Sequence, residues 1–243
     1  MSNPTAAMLV IGDEILSGRT RDANVQYLAG ALTNHGIRLA EVRMVADSQQ
    51  AIIDAVRVLS DGFDNVFTSG GIGPTHDDIT ADSMAAAFGR PIGIRDDARA
   101  ILAARCEATG NELNGARLRM ARIPDGATLI ENPVSGAPGF TLGNVHVMAG
   151  VPAIFQAMVA LVLPTLAGGD PVMSQSLRVL RPEGEIATPL AALAADFPQL
   201  SIGSYPFQKD GIFGANIVIR GTQAAAIDRA MTRLAALFPE AIA

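Results

Sequence analysis

The chain has 243 residues, of which 49% are hydrophobic and only 17% are charged, a composition typical of a globular protein and not of a disordered chain. Its net charge of −6, without a run of Lys or Arg, argues against nucleic acid or a membrane surface as a partner, because both require a clustered basic surface. No apolar stretch approaches about 18 residues, and the single cysteine, Cys106, can form no internal disulfide, so the sequence predicts a cytoplasmic protein without a membrane span.

Strands and helices alternate along the first two thirds of the sequence. Short apolar runs predict buried strands, and apolar positions three or four residues apart predict amphipathic helices. The predicted strands are 6–11, 37–45, 65–68, 128–130 and 140–149, the last broken by a turn at 143–144. The predicted helices are 24–35, 48–59, 80–88, 96–109, 114–122 and 153–162. This order predicts an α/β fold in three layers, α/β/α, with a mostly parallel sheet.

A second, smaller module is predicted after a glycine-rich linker, residues 167–171. Its predicted elements are a strand at 176–180, a helix at 187–197, a hairpin of strands 200–206 and 216–220 turning at Lys209-Asp210-Gly211, and a helix at 224–238. This β-α-β-β-α order is typical of a small α+β domain. We therefore divide the chain into an α/β domain, 1–167, and an α+β domain, 168–243. The first domain holds 17 acidic and 12 basic residues, so the acidity belongs to it.

Four polar or glycine-rich segments follow predicted strands of the first domain. Open α/β sheets bind ligands at the carboxyl ends of their strands, so these segments are the candidate site. The segments are 12–18 with 21–24, Asp47, 68–80, and 131–140 together with 149–152.

The third segment, Thr-Ser-Gly-Gly-Ile-Gly-Pro-Thr-His-Asp-Asp-Ile-Thr, connects a strand to a helix. Its glycines allow close backbone approach and the helix start adds N–H donors, which predicts a phosphate or pyrophosphate site. The spacing matches neither the Gly-x-Gly-x-x-Gly pattern nor a P-loop, because no Lys-Ser/Thr follows the glycines. A purely structural turn is the alternative.

Five carboxylates are expected around this turn: Asp13, Glu14, Asp47, Asp77 and Asp78. Because carboxylates repel a phosphate unless a cation lies between them, the pattern predicts a divalent metal ion. Asp47 with Asp77, Asp78 or both would hold the ion, and Asp13 or Glu14 would position the attacking water. As alternatives, Asp77 or Asp78 caps the following helix, and Asp13-Glu14 opens a short helix.

The three histidines are interpreted separately. His76 lies inside the glycine-rich turn and is a candidate ligand contact. His35 and His146 are expected at a helix end and in a strand, and they are not spaced for metal binding.

Taken in order, these segments resemble the molybdopterin-binding (MogA/MoeA-like) domain, and specifically its CinA-like branch. The matching motifs are Gly12-Asp13-Glu14-Ile15-Leu16 with Asn24, the run from Gly70 to Thr80, and Glu131-Asn132-Pro133 with Ala137-Pro138-Gly139-Phe140. Ala149-Gly150-Val151-Pro152 is a partial match, because the family usually has Pro-Gly-Val-Pro followed by Glu-Met.

The second module, at Ile202-Gly203-Ser204-Tyr205-Pro206, resembles the corresponding part of bifunctional FAD synthases that carry a molybdopterin-binding-like domain. We expect neither a nicotinamide-nucleotide amidase domain nor a FAD synthase domain in this chain.

The resemblance implies a molybdopterin-binding fold and one of two activities. MogA-like members adenylylate molybdopterin with ATP and Mg²⁺, and CinA-like members hydrolyse the pyrophosphate of ADP-ribose or FAD. The expected function is a metal-dependent nucleotide pyrophosphatase. The alternatives are molybdopterin binding or adenylylation in molybdenum cofactor biosynthesis, a non-catalytic nucleotide or pterin binder, and an interaction protein that merely keeps the fold.

The resemblance also implies ions, an assembly state and binding residues. The expected ions are Mg²⁺, Mn²⁺ or Co²⁺, with K⁺ as a further candidate, and the expected assembly is a homo-oligomer. Asp13, Glu14, Asp77 and Asp78 are the expected catalytic residues. The expected phosphate- and nucleotide-binding residues are Asn24, Ser69, Gly70, Gly71, Gly73, Pro74, Thr75, His76, Thr80, Asn132, Pro133, Gly139, Gly150 and Pro152.

Overall fold

The computed structural model describes residues 3–209, 211–239 and 241, and it divides into two compact units. Unit 1 is Met1–Gly169 and unit 2 is Asp170–Ala243, so the division falls inside the glycine-rich segment that was predicted as a linker. No helix among the described residues is long and apolar enough to cross a membrane.

Unit 1 is built from alternating strands and helices. Its described strands are β1 Thr5–Ile11, β2 Arg38–Val45, β3 Asn65–Ser69, β4 Ile92–Ile94, β5 Arg122–Pro124, β6 Thr128–Ile130, β7 Gly139–Leu142 and β8 Val145–Met148. Its described helices are α1 Asp13–Leu16, α2 Asn24–Asn34, α3 Gln49–Gly62, α4 Thr80–Ala87, α5 Asp96–Thr109, α6 Gly115–Arg119 and α7 Pro152–Val162, the last followed by a 3₁₀ turn, Leu163–Thr165.

Six of these strands form one mixed sheet in the order β2-β1-β3-β8-β7-β6. The first four strands are parallel, and β7 is antiparallel to both of its neighbours. This confirms the predicted mostly parallel sheet. The carboxyl ends of β1, β3 and β8 therefore lie side by side at one edge of the sheet.

The central strand β1 is buried on both faces, as its continuous apolar sequence predicts. Alternate residues point to opposite faces of a strand. Leu9 packs in the cluster that contains the α3 residues Ile52 and Val56. Met8 packs in the other cluster, with Leu28 of α2 and Phe155 of α7. Helices thus cover both faces, which confirms the three-layer α/β/α architecture.

A second, two-stranded sheet pairs β4 with β5 antiparallel and was not predicted. The predicted helix 114–122 was wrong at its end, because α6 stops at Arg119 and Arg122 begins β5. Asn114 caps α6 by accepting a hydrogen bond from the backbone N–H of Arg117 at 3.0 Å. Pro124 disfavours helical geometry at the residue before it, so this strand start had a local signal.

His146 lies in β8, next to β3, the strand that leads into the glycine-rich turn. Its imidazole ring is buried in the neutral form. Its Nδ1 lies 3.0 Å from Thr141 Oγ1, its Nε2 lies 3.4 Å from Asn65 Oδ1, and its ring contacts Phe67 with centroids 5.0 Å apart. Burial lowers the pKa of His146 from 6.5 to about 4. Protonation is therefore disfavoured in the folded state relative to the unfolded state.

Acidification should consequently destabilise unit 1 before the carboxylates titrate. Because the folded pKa lies below the unfolded one, this contribution to the free energy of unfolding is complete above pH 6.5 and is lost as pH falls towards 4. The loss amounts to about 3 kcal/mol. Urea unfolding of the wild type between pH 5 and 7 should therefore show a steeper pH dependence than that of His146→Gln. Equal slopes for the two proteins would contradict the assignment.

Unit 2 contains β9 Met173–Val179, α8 Glu183–Asp196, β10 Ser201–Lys209, β11 Ile212–Gly221 and α9 Ala224–Leu237. The strands form an antiparallel sheet in the order β10-β11-β9, which confirms the predicted β-α-β-β-α order. The predicted hairpin is present, and Asp210 of its predicted turn lies outside the described residues.

The first helix of unit 2 starts earlier than predicted, at Glu183 instead of residue 187. The glycine at 184 favoured a loop. Glu183 and Glu185 lie in the first turn, where negative side chains interact favourably with the positive end of the helix dipole.

Candidate active site

A cleft of about 540 Å³ opens at the carboxyl ends of β1, β3 and β8. Gly12 follows β1, Asp47 lies two residues beyond β2, and Gly70 to Gly73 follow β3. The wall is completed by residues just after β8 and by residues between β6 and β7. The four segments singled out in the sequence therefore meet in one cavity.

The glycine-rich turn has a backbone conformation that requires glycine. Gly70 has φ of 111° and Gly71 has φ of 69°, both in the region that side chains other than glycine rarely adopt. A Cβ at Gly70 would lie 2.2 Å from the carbonyl oxygen of Ile11, so the turn packs directly on the end of β1. Thr80, at the start of α4, donates its hydroxyl to the carbonyl of Gly70 at 3.0 Å and its N–H to the carbonyl of Gly71 at 2.9 Å.

Two backbone donors of this turn have no partner within the described residues. The N–H groups of Gly71 and Ile72 donate to no protein acceptor in that part of the chain, and both residues line the cleft. The N-terminus of α7, with Pro152 at its first turn, borders the same cavity. Free N–H groups and a helix N-terminus attract an anion.

Asp78 closes the turn on itself. Its Oδ1 accepts the N–H of Gly73 at 2.6 Å, and its Oδ2 accepts the N–H and the hydroxyl of Thr75 at 2.7 and 2.6 Å. The N-cap residue of α4 is Ile79, and no side chain caps this end of the helix with a hydrogen bond. The helix-cap alternative is therefore wrong for Asp78, whose carboxylate folds back into the turn and away from the helix N–H groups.

Because Asp78 closes the turn, its substitution should reduce stability more than that of Asp77. Asp78→Asn replaces one acceptor oxygen by a donor group, so we expect the free energy of unfolding of unit 1 to fall by about 1–2 kcal/mol. Asp77→Asn should change it by less than about 0.5 kcal/mol, since Asp77 is exposed and shares with Asp78 the single proton of the Thr75 hydroxyl, which lies 2.5 Å from its Oδ1. Urea unfolding of both variants tests this, and equal losses would contradict the role given to Asp78.

Asp47 is close enough to three other carboxylates for their charges to affect its pKa. Asp47 accepts the N–H of Asp13 at 2.9 Å. Burial raises the pKa of Asp47, and the charges of Asp13, Glu14 and Asp77 raise it further, against the lowering effect of that hydrogen bond. The hydroxyl of Thr75 lowers the pKa of Asp77, which therefore stays ionised at neutral pH. No basic side chain among the described residues that line the cleft offsets these carboxylates.

The ionisable residues that line the cleft, among those described, are Glu14, Asp47, Asp77 and Asp78, all of them carboxylates. No set of three His, Cys, Asp or Glu side chains in the described ranges is placed to hold a metal ion by itself. Mg²⁺ commonly takes only one or two carboxylates and completes its shell with water and phosphate oxygens. The donor set therefore suits a hard divalent ion that binds together with a phosphorylated ligand. Asp47 and Asp77 suit it better than Asp78, whose oxygens are already engaged.

The structure separates the predicted site residues into two groups. Those that line the cleft are Glu14, Asp47, Gly70, Gly71, Gly73, Pro74, Asp77, Asp78, Asn132, Gly150 and Pro152. Those outside its lining are Asp13, Asn24, Ser69, Thr75, His76, Thr80, Pro133 and Gly139. The side chain of His76 is 99% exposed, and Pro133 lines a separate depression.

Two buried asparagines, one outside the lining and one within it, brace the walls of the cleft. Asn24 is buried and donates its amide to Ser69 Oγ at 2.7 Å and to the carbonyl of Gly150 at 2.8 Å, which ties α2 to the ends of β3 and β8. Asn132 plays a similar part in the opposite wall, where its Oδ1 accepts the N–H of Ser135 and its Nδ2 donates to the carbonyl of Ala137.

Some lining residues were not predicted. They are Ile11, Gly12, Thr20, Ile72, Met120, Ser135, Ala137, Ala149, Val151 and Ile154. Most of them lie within or beside the four segments, so their position in the sequence could have found them. Thr20 lies between the two parts of the first segment, whereas Met120 carries no such signal, because a methionine is unremarkable in sequence.

Comparison with known proteins agrees with this architecture. Residues 7–168 match the family model described as a probable molybdopterin binding domain, and residues 171–243 match the model described as the middle domain of FAD synthase. A solved structure, the CinA protein of unknown function from Thermoplasma acidophilum, is 34% identical with a TM-score of 0.62, covering 68% of this chain and 99% of that one.

Relatives that match both units of the chain point the same way. A protein of Archaeoglobus fulgidus is 33% identical over 199 residues, which cover 82% of this chain and 84% of that protein. A CinA-like protein of Myxococcus xanthus is 33% identical over 211 residues, covering 81% of this chain and 50% of that protein. The chain therefore belongs to the molybdopterin-binding domain family, with CinA-like relatives, and carries a FAD synthase middle domain as its second unit.

Proposed function

We propose that unit 1 is a metal-dependent nucleotide pyrophosphatase that acts on ADP-ribose or FAD-like dinucleotides. One observation carries the proposal: a turn with free N–H groups and a set of uncompensated carboxylates line the same cleft. The first feature favours an anion, and the second favours a cation beside it. A pyrophosphate with a divalent ion satisfies both.

The size and remaining lining of the cleft fit a nucleotide. Its volume of about 540 Å³ lies within the usual range for small-molecule sites, roughly 300–1,000 Å³. Ile154 and Val151 provide an apolar surface for a base, and Ser135 provides a hydroxyl for a ribose. The pyrophosphate would lie against Gly71 and Ile72.

The proposed reaction is hydrolysis of the pyrophosphate bond. The oxygen of water bonds to one phosphorus, the bridging P–O bond breaks, and ADP-ribose yields AMP and ribose 5-phosphate. Glu14 accepts a proton from the attacking water, and the N–H groups of Gly71 and Ile72 stabilise charge on the phosphoryl oxygens. A bound divalent cation, held by Asp47 and Asp77, would neutralise phosphate charge and make a water more acidic.

The runner-up is binding or adenylylation of molybdopterin. The description of the family that matches residues 7–168 favours it, since it names a molybdopterin-binding domain. A phosphorylated pterin would use the same N–H groups of the glycine-rich turn. Adenylylation requires ATP as a second substrate, whereas a simple binder requires no metal and releases no AMP. These requirements separate the candidates.

The test is a substrate panel with the full chain. ADP-ribose, FAD and NAD are incubated with Mg²⁺, Mn²⁺ or Co²⁺, with and without K⁺ or excess EDTA, and the products are separated by chromatography. The proposal expects AMP from at least one dinucleotide in the presence of an ion and none with EDTA. Tight binding without AMP would favour the non-catalytic binder, and adenylylated pterin formed from ATP would favour the runner-up.

We further propose that the chain is a cytoplasmic homo-oligomer. Light scattering after size-exclusion chromatography tests the assembly, and a monomer at micromolar concentration would contradict it.

A further inference from the structure

Arg119 lies behind the glycine-rich turn, at the last residue of α6. Its side chain lines a cavity of only about 20 Å³. The walls shared by this cavity and the main cleft are Gly71, Ile72, Gly73, Asp78 and Met120. The guanidinium of Arg119 is therefore separated from the cleft by the turn that carries the free N–H groups.

The guanidinium is poorly satisfied by the protein. Its Nη2 donates to the carbonyl of Asp78 across 3.4 Å, and its buried Nε has no hydrogen-bond partner in the described part of the chain. None of the described carboxylates lies within ion-pair distance of it. Arg122 lines the same cavity but is paired with Asp82. Asp78 and Asp82 also line this cavity, but Asp82 pairs with Arg122 and the carboxylate of Asp78 accepts N–H groups of the turn. Neither forms an ion pair with Arg119, and a half-buried cation without a counter-ion is unfavourable.

A cavity of about 20 Å³ holds no more than about one water, so an anion that would compensate Arg119 cannot enter it. The cleft on the other side of the turn, in contrast, is lined by carboxylates and lacks a basic residue among those described. An anion bound by Gly71 and Ile72 would lie between that negative charge and the positive charge of Arg119. The arrangement makes Arg119 the counter-charge of the bound anion.

We propose that Arg119 is a positioning residue for the pyrophosphate of the substrate. It acts through the turn, by raising the electrostatic potential at the N–H groups of Gly71 and Ile72 and by holding the carbonyl of Asp78. This inference rests on the proposed function, since it takes a dinucleotide pyrophosphate as the ligand. It assigns to Arg119 no contact with the reacting atoms.

Three variants test this assignment. Arg119→Gln removes the charge but keeps a hydrogen-bond donor, and Arg119→Lys keeps the charge. Arg90→Gln is the matched control, because Arg90 is exposed beyond the opposite end of α4 and its side chain has no partner within the described ranges. Affinity for ADP-ribose is measured by calorimetry at low and high NaCl, and urea unfolding verifies that each variant is folded.

At low salt, Arg119→Gln should bind ADP-ribose about 10-fold more weakly than the wild type, because one favourable charge interaction is lost. The deficit should shrink at high salt, where charge interactions are screened. Arg119→Lys should retain most of the affinity, and Arg90→Gln should match the wild type. A deficit in Arg119→Lys as large as that in Arg119→Gln would identify a structural brace and overturn the proposal.

The outcomes also separate this inference from the proposed function. If the wild type binds and cleaves ADP-ribose while Arg119→Gln and Arg90→Gln are equal in affinity, the role of Arg119 is wrong and the function stands. If the wild type binds no ADP-ribose at either salt concentration, both are overturned. If Arg119→Gln fails to fold, Arg119→Lys decides, since a loss of about 10-fold in this variant, which keeps the charge, would overturn the proposal.

Discussion

Asp47→Asn is expected to lower the rate of ADP-ribose hydrolysis by at least about 100-fold while leaving the apo protein as stable as the wild type or slightly more stable. The amide keeps an oxygen that can accept the N–H of Asp13, so the local geometry survives. Its lost charge is the one proposed to hold the cation. Because burial and the neighbouring carboxylates raise the pKa of Asp47, its ionised form is disfavoured in the folded state, and neutralisation relieves that cost at neutral pH.

Asp64 provides a matched control, because its substitution is expected to change the stability of the protein in the opposite direction. Asp64 lies at the other end of the sheet, where it accepts hydrogen bonds from the N–H and the hydroxyl of Thr5 at 2.7 and 2.8 Å, and these bonds lower its pKa. Asp64→Asn should therefore reduce stability at neutral pH and leave hydrolysis unchanged. Thermal unfolding without metal and initial rates with metal are measured for both variants. Full activity in Asp47→Asn would remove Asp47 from the metal site.

Gly70→Ala should give the largest loss of all, with unit 1 destabilised by several kcal/mol and ligand binding abolished. The φ of 111° at Gly70 is unfavourable for alanine, and the new Cβ would lie 2.2 Å from the carbonyl oxygen of Ile11. Neither the turn nor the end of β1 can move without opening the cleft. Strain at such a backbone position costs about 1–3 kcal/mol, and the overlap adds to it.

Gly89→Ala separates the cost of backbone strain from the cost of steric overlap. Gly89 also has a positive φ, 61°, but a Cβ there meets nothing within 4 Å. It should cost only about 1–2 kcal/mol and leave ligand binding intact. Urea unfolding and calorimetry with ADP-ribose are the measurements. Equal effects of the two substitutions would mean that the close packing of Gly70 on β1 does not matter.

Sequence patterns predicted the elements that carry the site because those elements are strongly periodic or continuously apolar. The segment of β1 is an example, since a short, continuous apolar run that ends in a glycine is typical of a strand buried on both faces. The small sheet of β4 and β5 was missed because it joins residues about 30 positions apart, and local periodicity contains no information on such pairing.

The site was predicted unevenly, for a similar reason. Glycines and carboxylates after strands identified the cleft, because their chemistry is unusual in those positions. The function of each carboxylate within it depends on side-chain direction. Asp78 could have capped α4 or closed the turn, since both roles use an acceptor at a helix start, and only the structure separates them. Arg119 carried no sequence signal, because an arginine at the end of a helix is ordinarily solvated.

Cleavage of ADP-ribose in ¹⁸O-labelled water tests the central claim most directly. The wild-type protein with a divalent ion should release AMP and ribose 5-phosphate in equal amounts, with one ¹⁸O atom incorporated per bond broken, as mass spectrometry would show. EDTA should stop the release. If ADP-ribose and FAD bind in the presence of each ion but no labelled product forms from either, the cleft is a binding site and unit 1 is not a pyrophosphatase.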